Sequence, residues 1–143
     1  MNGRLSTHDL SSALRIAVAR LSRRLRAEKE DHELSDSQTA ILGYLVREGS
    51  GTIGRLSEFE RVKPPSMNRT VNNLEEAGYV RRTADAVDGR KVVVVPTEAG
   101  QALVSETRRR RDAWLHQRLR TLTAEQRATL TEAARIMREL ADS

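Results

Sequence analysis

The chain has 143 residues, a formal net charge of +5 and no cysteine, which predicts one domain and excludes disulfide scaffolds, thiolate metal sites and thiol redox switches. No run of about 18 apolar residues offers a membrane span. The polar stretch from Met1 to His8 leads straight into an amphipathic segment, so no secretory signal is expected and the protein reads as cytoplasmic. Phe59, Trp114, Tyr44 and Tyr79 are the only aromatic residues, too few for a row of stacked single-stranded bases. The basic balance draws the protein toward a polyanion, and the thin core predicted for this length calls for a second copy to cover apolar residues.

From Thr7 to Lys29, Leu10, Leu14, Ala17, Leu21 and Leu25 recur at steps of three and four, the stripe of a long helix suited to packing against another helix, of this chain or of a partner. Ser35-Asp36-Ser37-Gln38 has the form of a capping box. The helix it opens carries Ile41, Leu42, Leu45 and Val46 and stops at Gly49-Ser50-Gly51. Thr52 caps a short helix with Ile53, Leu56 and Phe59. Val62-Lys63-Pro64-Pro65-Ser66 then turns into another helix, proline being tolerated in a first turn. Met67, Val71 and Leu74 form its buried face, Ser66, Asn68, Arg69, Asn72 and Asn73 point outward, and Gly78 ends it.

Two strand-like runs, Tyr79 to Thr83 and Lys91 to Val95, flank a seven-residue connection with Asp88-Gly89 as turn chemistry. Pro96 ends the second strand, Thr97 caps a long helix to about Leu122, and Thr123-Ala124-Glu125-Gln126 opens a last helix with Leu130, Ala133, Met137 and Leu140 on one stripe. The fold class is therefore mainly α with a small β-hairpin wing: a winged helix-turn-helix over 34–97, with dimerisation helices over 1–33 and 98–143.

Short helix, tight turn, helix is the arrangement that places a second helix in the major groove of double-stranded DNA. Asparagine pairs with adenine and arginine with guanine, so the outward face suits base reading; the plainer alternative is a solvated polar face. Arg90 at the hairpin tip suits the narrow minor groove, and Arg81, Arg82 and Lys91 are candidates for flanking phosphates.

The stretch from Leu34 to Gly100 resembles the MarR family of bacterial regulators. The resemblance is carried by Thr52-Ile53-Gly54-Arg55-Leu56-Ser57, by the run from Asn72 to Val80, and by Asp88-Gly89-Arg90 followed by Pro96-Thr97-Glu98-Ala99-Gly100, with Pro96 where the family usually has leucine. It implies a triangular homodimer with interlocked terminal helices, a palindromic operator, and a small aromatic or phenolic ligand bound between the dimer helices and the winged domain. It also implies that Lys63, Pro64, Ser66, Asn68, Arg69, Thr70 and Asn73 face DNA, that Arg90 is the wing-tip arginine and that Asp88 shapes the wing.

Other features have plainer readings. The run Arg108 to Arg111 points in four directions on a helix and is expected to be solvated or paired with acids across a dimer. Glu30, Asp31, His32 and Glu33 form a solvated charge cluster rather than a metal site, and Trp114 is expected in the dimer core. No nucleophile–base pair, glycine-rich phosphate loop or carboxylate pair stands out, so no enzyme and no cofactor are expected. The function predicted is a sequence-specific dimeric transcription regulator acting as a repressor; the alternative is a non-specific architectural DNA- or RNA-binding protein.

Overall fold

The computed structural model describes residues 3–28 and 34–143. The element order is α1 (Thr7–Arg26), α2 (Asp36–Glu48), α3 (Ile53–Glu60), α4 (Pro64–Glu76), β1 (Val80–Ala84), β2 (Val92–Pro96), α5 (Glu98–Leu119) and α6 (Ala124–Ala141). This is the predicted sequence of helices and hairpin, with α1 and α5 each ending three residues earlier and both strands starting one residue later than expected. The cluster Glu30 to Glu33 lies outside the described residues. No helix among the described residues is long and apolar enough to cross a membrane.

Local chemistry sets these boundaries. Ser35 accepts from the Gln38 amide while the Gln38 side chain accepts from the Ser35 amide, and Thr123 and Gln126 repeat the arrangement at α6. Each pair satisfies two backbone donors that a helix start leaves without partners. Gly49, with φ of 89°, ends α2 in a conformation that a side chain would strain.

The chain divides into two compact units, Lys29–Arg109 and Met1–Glu28 with Arg110–Ser143. The first holds the core: Ile41, Leu42 and Leu45 of α2, Leu56 of α3, Met67, Val71 and Leu74 of α4, Val80 and Val94 of the hairpin, and Val104 of α5. Burying each such side chain stabilises the fold by about 1.5–3 kcal/mol before chain entropy is counted. The hairpin is antiparallel with Arg82 opposite Val94. Gly51 and Val94 exchange both backbone bonds, at 3.0 and 2.8 Å, which fastens the wing to the loop before α3. Thr97 fastens the base of the hairpin. Its amide donates to the Tyr79 carbonyl and its hydroxyl to the Gly78 carbonyl, while the same hydroxyl oxygen accepts from the Gly100 amide and so caps α5.

The second unit is built differently. Neither α1 nor α6 buries any residue, and Leu10, Leu14, Ile16, Val18 and Leu21 of α1 and Leu130, Ile136, Met137 and Leu140 of α6 stay exposed. Trp114 lies between two guanidinium groups, Arg24 at 4.6 Å and Arg118 at 4.9 Å from the ring centroid. Arg135 of α6 bridges Glu132 and Glu139, and its bond to Glu132 holds that carboxyl below the usual glutamate range.

Candidate nucleic-acid interface

Helix α3 starts at Thr52, whose hydroxyl accepts from the Arg55 amide, and ends at Arg61. Arg61 is the one non-glycine residue among those described with positive φ, at φ 56° and ψ 44°. Its amide donates to the Glu58 carbonyl and that of Val62 to the Ser57 carbonyl, so the left-handed residue closes the helix end. Lys63, extended at ψ 149°, is the N-cap of α4, and Pro64 and Pro65 fill the first two helical positions. A proline there forfeits an amide that has no helical partner, and its fixed φ starts the helix. Lys63 itself takes the first two α4 amides, from Ser66 and Met67, on its carbonyl.

Met67, Val71 and Leu74 are fully buried, which fixes the rotation of α4. Lys63, Pro64, Ser66, Asn68, Arg69 and Asn73 are exposed in consequence, and Thr70 is half-buried. The side chains of Lys63, Arg69 and Asn73 hold no hydrogen bond or ion pair among the described residues, so their donors are open to an incoming partner. Two neighbours are turned back on the helix: the Asn68 amide nitrogen donates to the Pro64 carbonyl at 3.1 Å and the Thr70 hydroxyl to the Ser66 carbonyl at 3.2 Å. Both bonds are solvent-exposed and can be exchanged for others.

The wing tip is shaped by short-range aspartate contacts. An Asp88 carboxylate oxygen accepts from the Arg90 amide at 3.1 Å, the Asp88 carbonyl accepts from the Lys91 amide, and Asp85 accepts from the Val87 amide. The Arg90 side chain is exposed and unpaired among the described residues. Arg81 is likewise exposed.

Arg82 differs from the expectation. Sequence reasoning grouped it with Arg81 and Lys91 as a phosphate contact and placed Asn72 among the outward base readers. Instead, the Arg82 guanidinium donates to the Glu75 carboxylate at 2.9 Å and to the Asn72 side-chain oxygen at 2.8 Å, and its amide donates to Glu75 at 3.0 Å. The strand explains why. Side chains alternate across a strand, so Arg82 shares a face with Val80 and with its cross-strand partner Val94, both buried, and leans over α4. The signal was present in the two-residue period, which forbids Arg81 and Arg82 from facing the same way.

The MarR family's sequence profile matches residues 32–91, which include α2, α3, α4, β1 and the wing tip. An HTH-type transcriptional regulator of Mycobacterium bovis is 44% identical over 133 residues, covering 93% of either chain. The chain belongs to the MarR family. A second relative, the HTH-type transcriptional repressor MdtR of Bacillus subtilis, is 25% identical over 142 residues, covering 96% of this chain and 90% of that one. The solved structure of a MarR family protein from Bacillus stearothermophilus superposes with a TM-score of 0.84 at 23% identity, covering 95% of both chains.

This MarR-family protein is thus a transcriptional regulator with a winged helix-turn-helix fold, as the sequence predicted. Its relatives are regulators rather than enzymes. Within the Lys29–Arg109 unit, the fold puts the α4 residues and Arg90 on elements that share one core. The Arg108–Arg111 run is split in role: Arg109 is bidentate to Glu106 at 3.1 and 2.7 Å, while the Nε of Arg111 is buried without a partner among the described residues. Sequence reasoning did not single out Glu75 as the anchor of Arg82, and it placed Thr97 as the cap of α5 without its second role, the tie to the hairpin.

Proposed function

We propose that this regulator binds a palindromic double-stranded DNA operator as a homodimer and represses by occupying it. Helix α4 enters the major groove, where Arg69 and Asn73 read bases and Ser66, Asn68 and Thr70 contribute hydrogen bonds. Lys63 and the backbone at Pro64 meet phosphate, and Arg90 enters the adjacent minor groove with Asp88 holding the wing tip in shape. The observation that carries this reading is the exposed face of α4: the Arg69 and Asn73 donors have no partner among the described residues, and the rotation of the helix is fixed by three buried side chains.

The exposed apolar rows of α1 and α6 support the homodimer, because a helix that leaves its stripe in water gains by covering it with an equivalent helix. Repression is supported by the named function of the Bacillus subtilis relative. A small aromatic or phenolic ligand, implied by the family resemblance, would release DNA by favouring a different spacing of the two α4 helices, its leverage being its differential affinity for the two states.

The test is selection of bound sequences from a random duplex library at near-physiological salt. An enriched palindrome with half-sites about one helical turn apart is the expected result. Binding with no enriched motif would overturn base reading and leave a non-specific architectural protein. Competition with duplex RNA distinguishes an RNA-binding role.

A further inference from the structure

We propose that Arg82 is a positioning residue for DNA binding: it clamps the wing to helix α4 through Glu75 and Asn72, and so sets where Arg90 arrives when α4 is seated in the groove. The inference rests on the DNA-binding reading above, and it gives Arg82 a role without contact to DNA.

Three bonds from one residue make the clamp. The planar guanidinium spans two acceptors on α4, Glu75 at 2.9 Å and Asn72 at 2.8 Å, while the Arg82 backbone amide takes the second Glu75 oxygen at 3.0 Å. Asn72 and Glu75 are three residues apart, hence neighbours on one helix face, and they flank the buried line of Val71 and Leu74. The carboxylate therefore holds strand β1 by its main chain and its side chain together. A lysine cannot do the same, since a single ammonium lacks the rigid fork that reaches both acceptors. The hairpin is otherwise tied to the rest of the domain from its β2 side, by Gly51 to Val94 in the middle of that strand, and at its base, by Thr97 to Gly78 and Tyr79. Arg82 is the bond to α4 itself, in the middle of β1. Two consequences follow: Asn72 is withdrawn from base reading, and Glu75 is kept as a clamp acceptor although it adds negative charge to the DNA-facing helix.

The sign of one substitution separates this role from a phosphate contact. If Arg82 neutralises a phosphate, Glu75→Gln releases the guanidinium and removes a repelling charge, so binding tightens, and Arg82→Gln lowers the dependence of log K on log salt by about 0.9. If Arg82 is a clamp, Glu75→Gln weakens binding, Arg82→Gln weakens it equally, and the double variant is no worse than either alone. The expected loss is roughly three- to tenfold, the range for a partly exposed, bidentate charged pair, with the salt slope unchanged.

The experiment measures the full-length protein and the variants E75Q, R82Q, R82K and E75Q/R82Q on the selected operator and on random duplex, over a salt series. Amide exchange of β1 and β2 is followed without DNA. The clamp predicts faster exchange in every variant, R82K included, and loss of hydroxyl-radical protection in the minor groove under the wing. Tighter binding by E75Q, wild-type behaviour of R82K, or a reduced slope for R82Q would overturn it. If the wild type shows no preference for any sequence, the base-reading proposal fails, and the same variants on random duplex still decide whether Arg82 is a clamp.

Discussion

Gly100, in the first turn of α5, lies directly against the main-chain carbonyl of Tyr79, where a Cβ would stand 2.2 Å from the oxygen and 3.1 Å from the carbonyl carbon. The same Cβ would meet Leu42 of the core at 3.1 Å. The obstacle is backbone, which cannot rotate away as a flexible side chain does, and the turn is pinned because Thr97 bonds both Gly78 and Tyr79. The glycine in the run that ends the wing is therefore there for close approach between two chain segments, the start of α5 and the exit of α4.

Gly100→Ala is accordingly expected to destabilise the fold by about 3 kcal/mol, the upper range for overpacking a fixed site. Gly43, inside α2, has open space around a Cβ, and Gly43→Ala is expected to stabilise by about 0.5–1 kcal/mol through helix propensity alone. Urea midpoints at unchanged m-value measure both. Equal behaviour of the two variants would show that the close approach to Tyr79 carries no weight.

Arg69→Ala and Arg90→Ala are expected to fail in different ways. Loss of a guanine-reading arginine costs about 1–3 kcal/mol on the operator and much less on random duplex. Loss of a wing-tip arginine lowers both affinities together and reduces the salt dependence by about one phosphate equivalent. Titrations on both DNAs at several salt concentrations distinguish them, and an evenly distributed loss for Arg69→Ala would remove it from base reading.

In the proposed DNA complex Asp88 acts only through the shape of the wing, because its carboxylate bonds the Arg90 amide. Asp88→Ala should weaken binding less than Arg90→Ala does, and Asp88→Asn, which keeps an acceptor oxygen, less again. In the Arg90→Ala background the Asp88→Ala change should add almost nothing. Additive losses in that double-mutant cycle would mean that Asp88 has a partner other than the wing tip.

The exposed stripes of α1 and α6 make a prediction about assembly. Leu14→Glu and Leu140→Glu replace side chains already exposed in the single chain, so each should keep the Lys29–Arg109 unit folded. Each should also raise the dimer dissociation constant by about tenfold or more, by burying an unpaired charge at the interface. Sedimentation equilibrium over a concentration series reads this directly. A monomeric wild type at micromolar concentration would refute the homodimer.

Most of the architecture was legible from local pattern. Both capping boxes, the glycines that stop α2 and α4, the double proline opening α4, and the buried trio of Met67, Val71 and Leu74 sit where the sequence places them. Phe59 was less legible: it falls on the apolar repeat of α3, yet it is exposed and packs on Tyr44 at a centroid distance of 4.8 Å beside Arg47. An eight-residue helix makes about two turns, and only Leu56 among its apolar residues turns fully inward.

What the sequence determined by itself is what depends on neighbours within about four residues: where helices start and stop, which side of each is apolar, and where the wing turns. These follow from backbone bonds left open at helix ends and from the periods 3.6 and 2. The tertiary structure alone decided which surface groups were free. Arg81 and Arg82 are adjacent and chemically identical, yet one is exposed and the other is bound to Asn72 and Glu75 on another element. Gly100 is required only because Tyr79, twenty-one residues earlier in the chain, brings its carbonyl to the spot. Contacts of this kind arise from the packing of elements distant in sequence, and no local period encodes them.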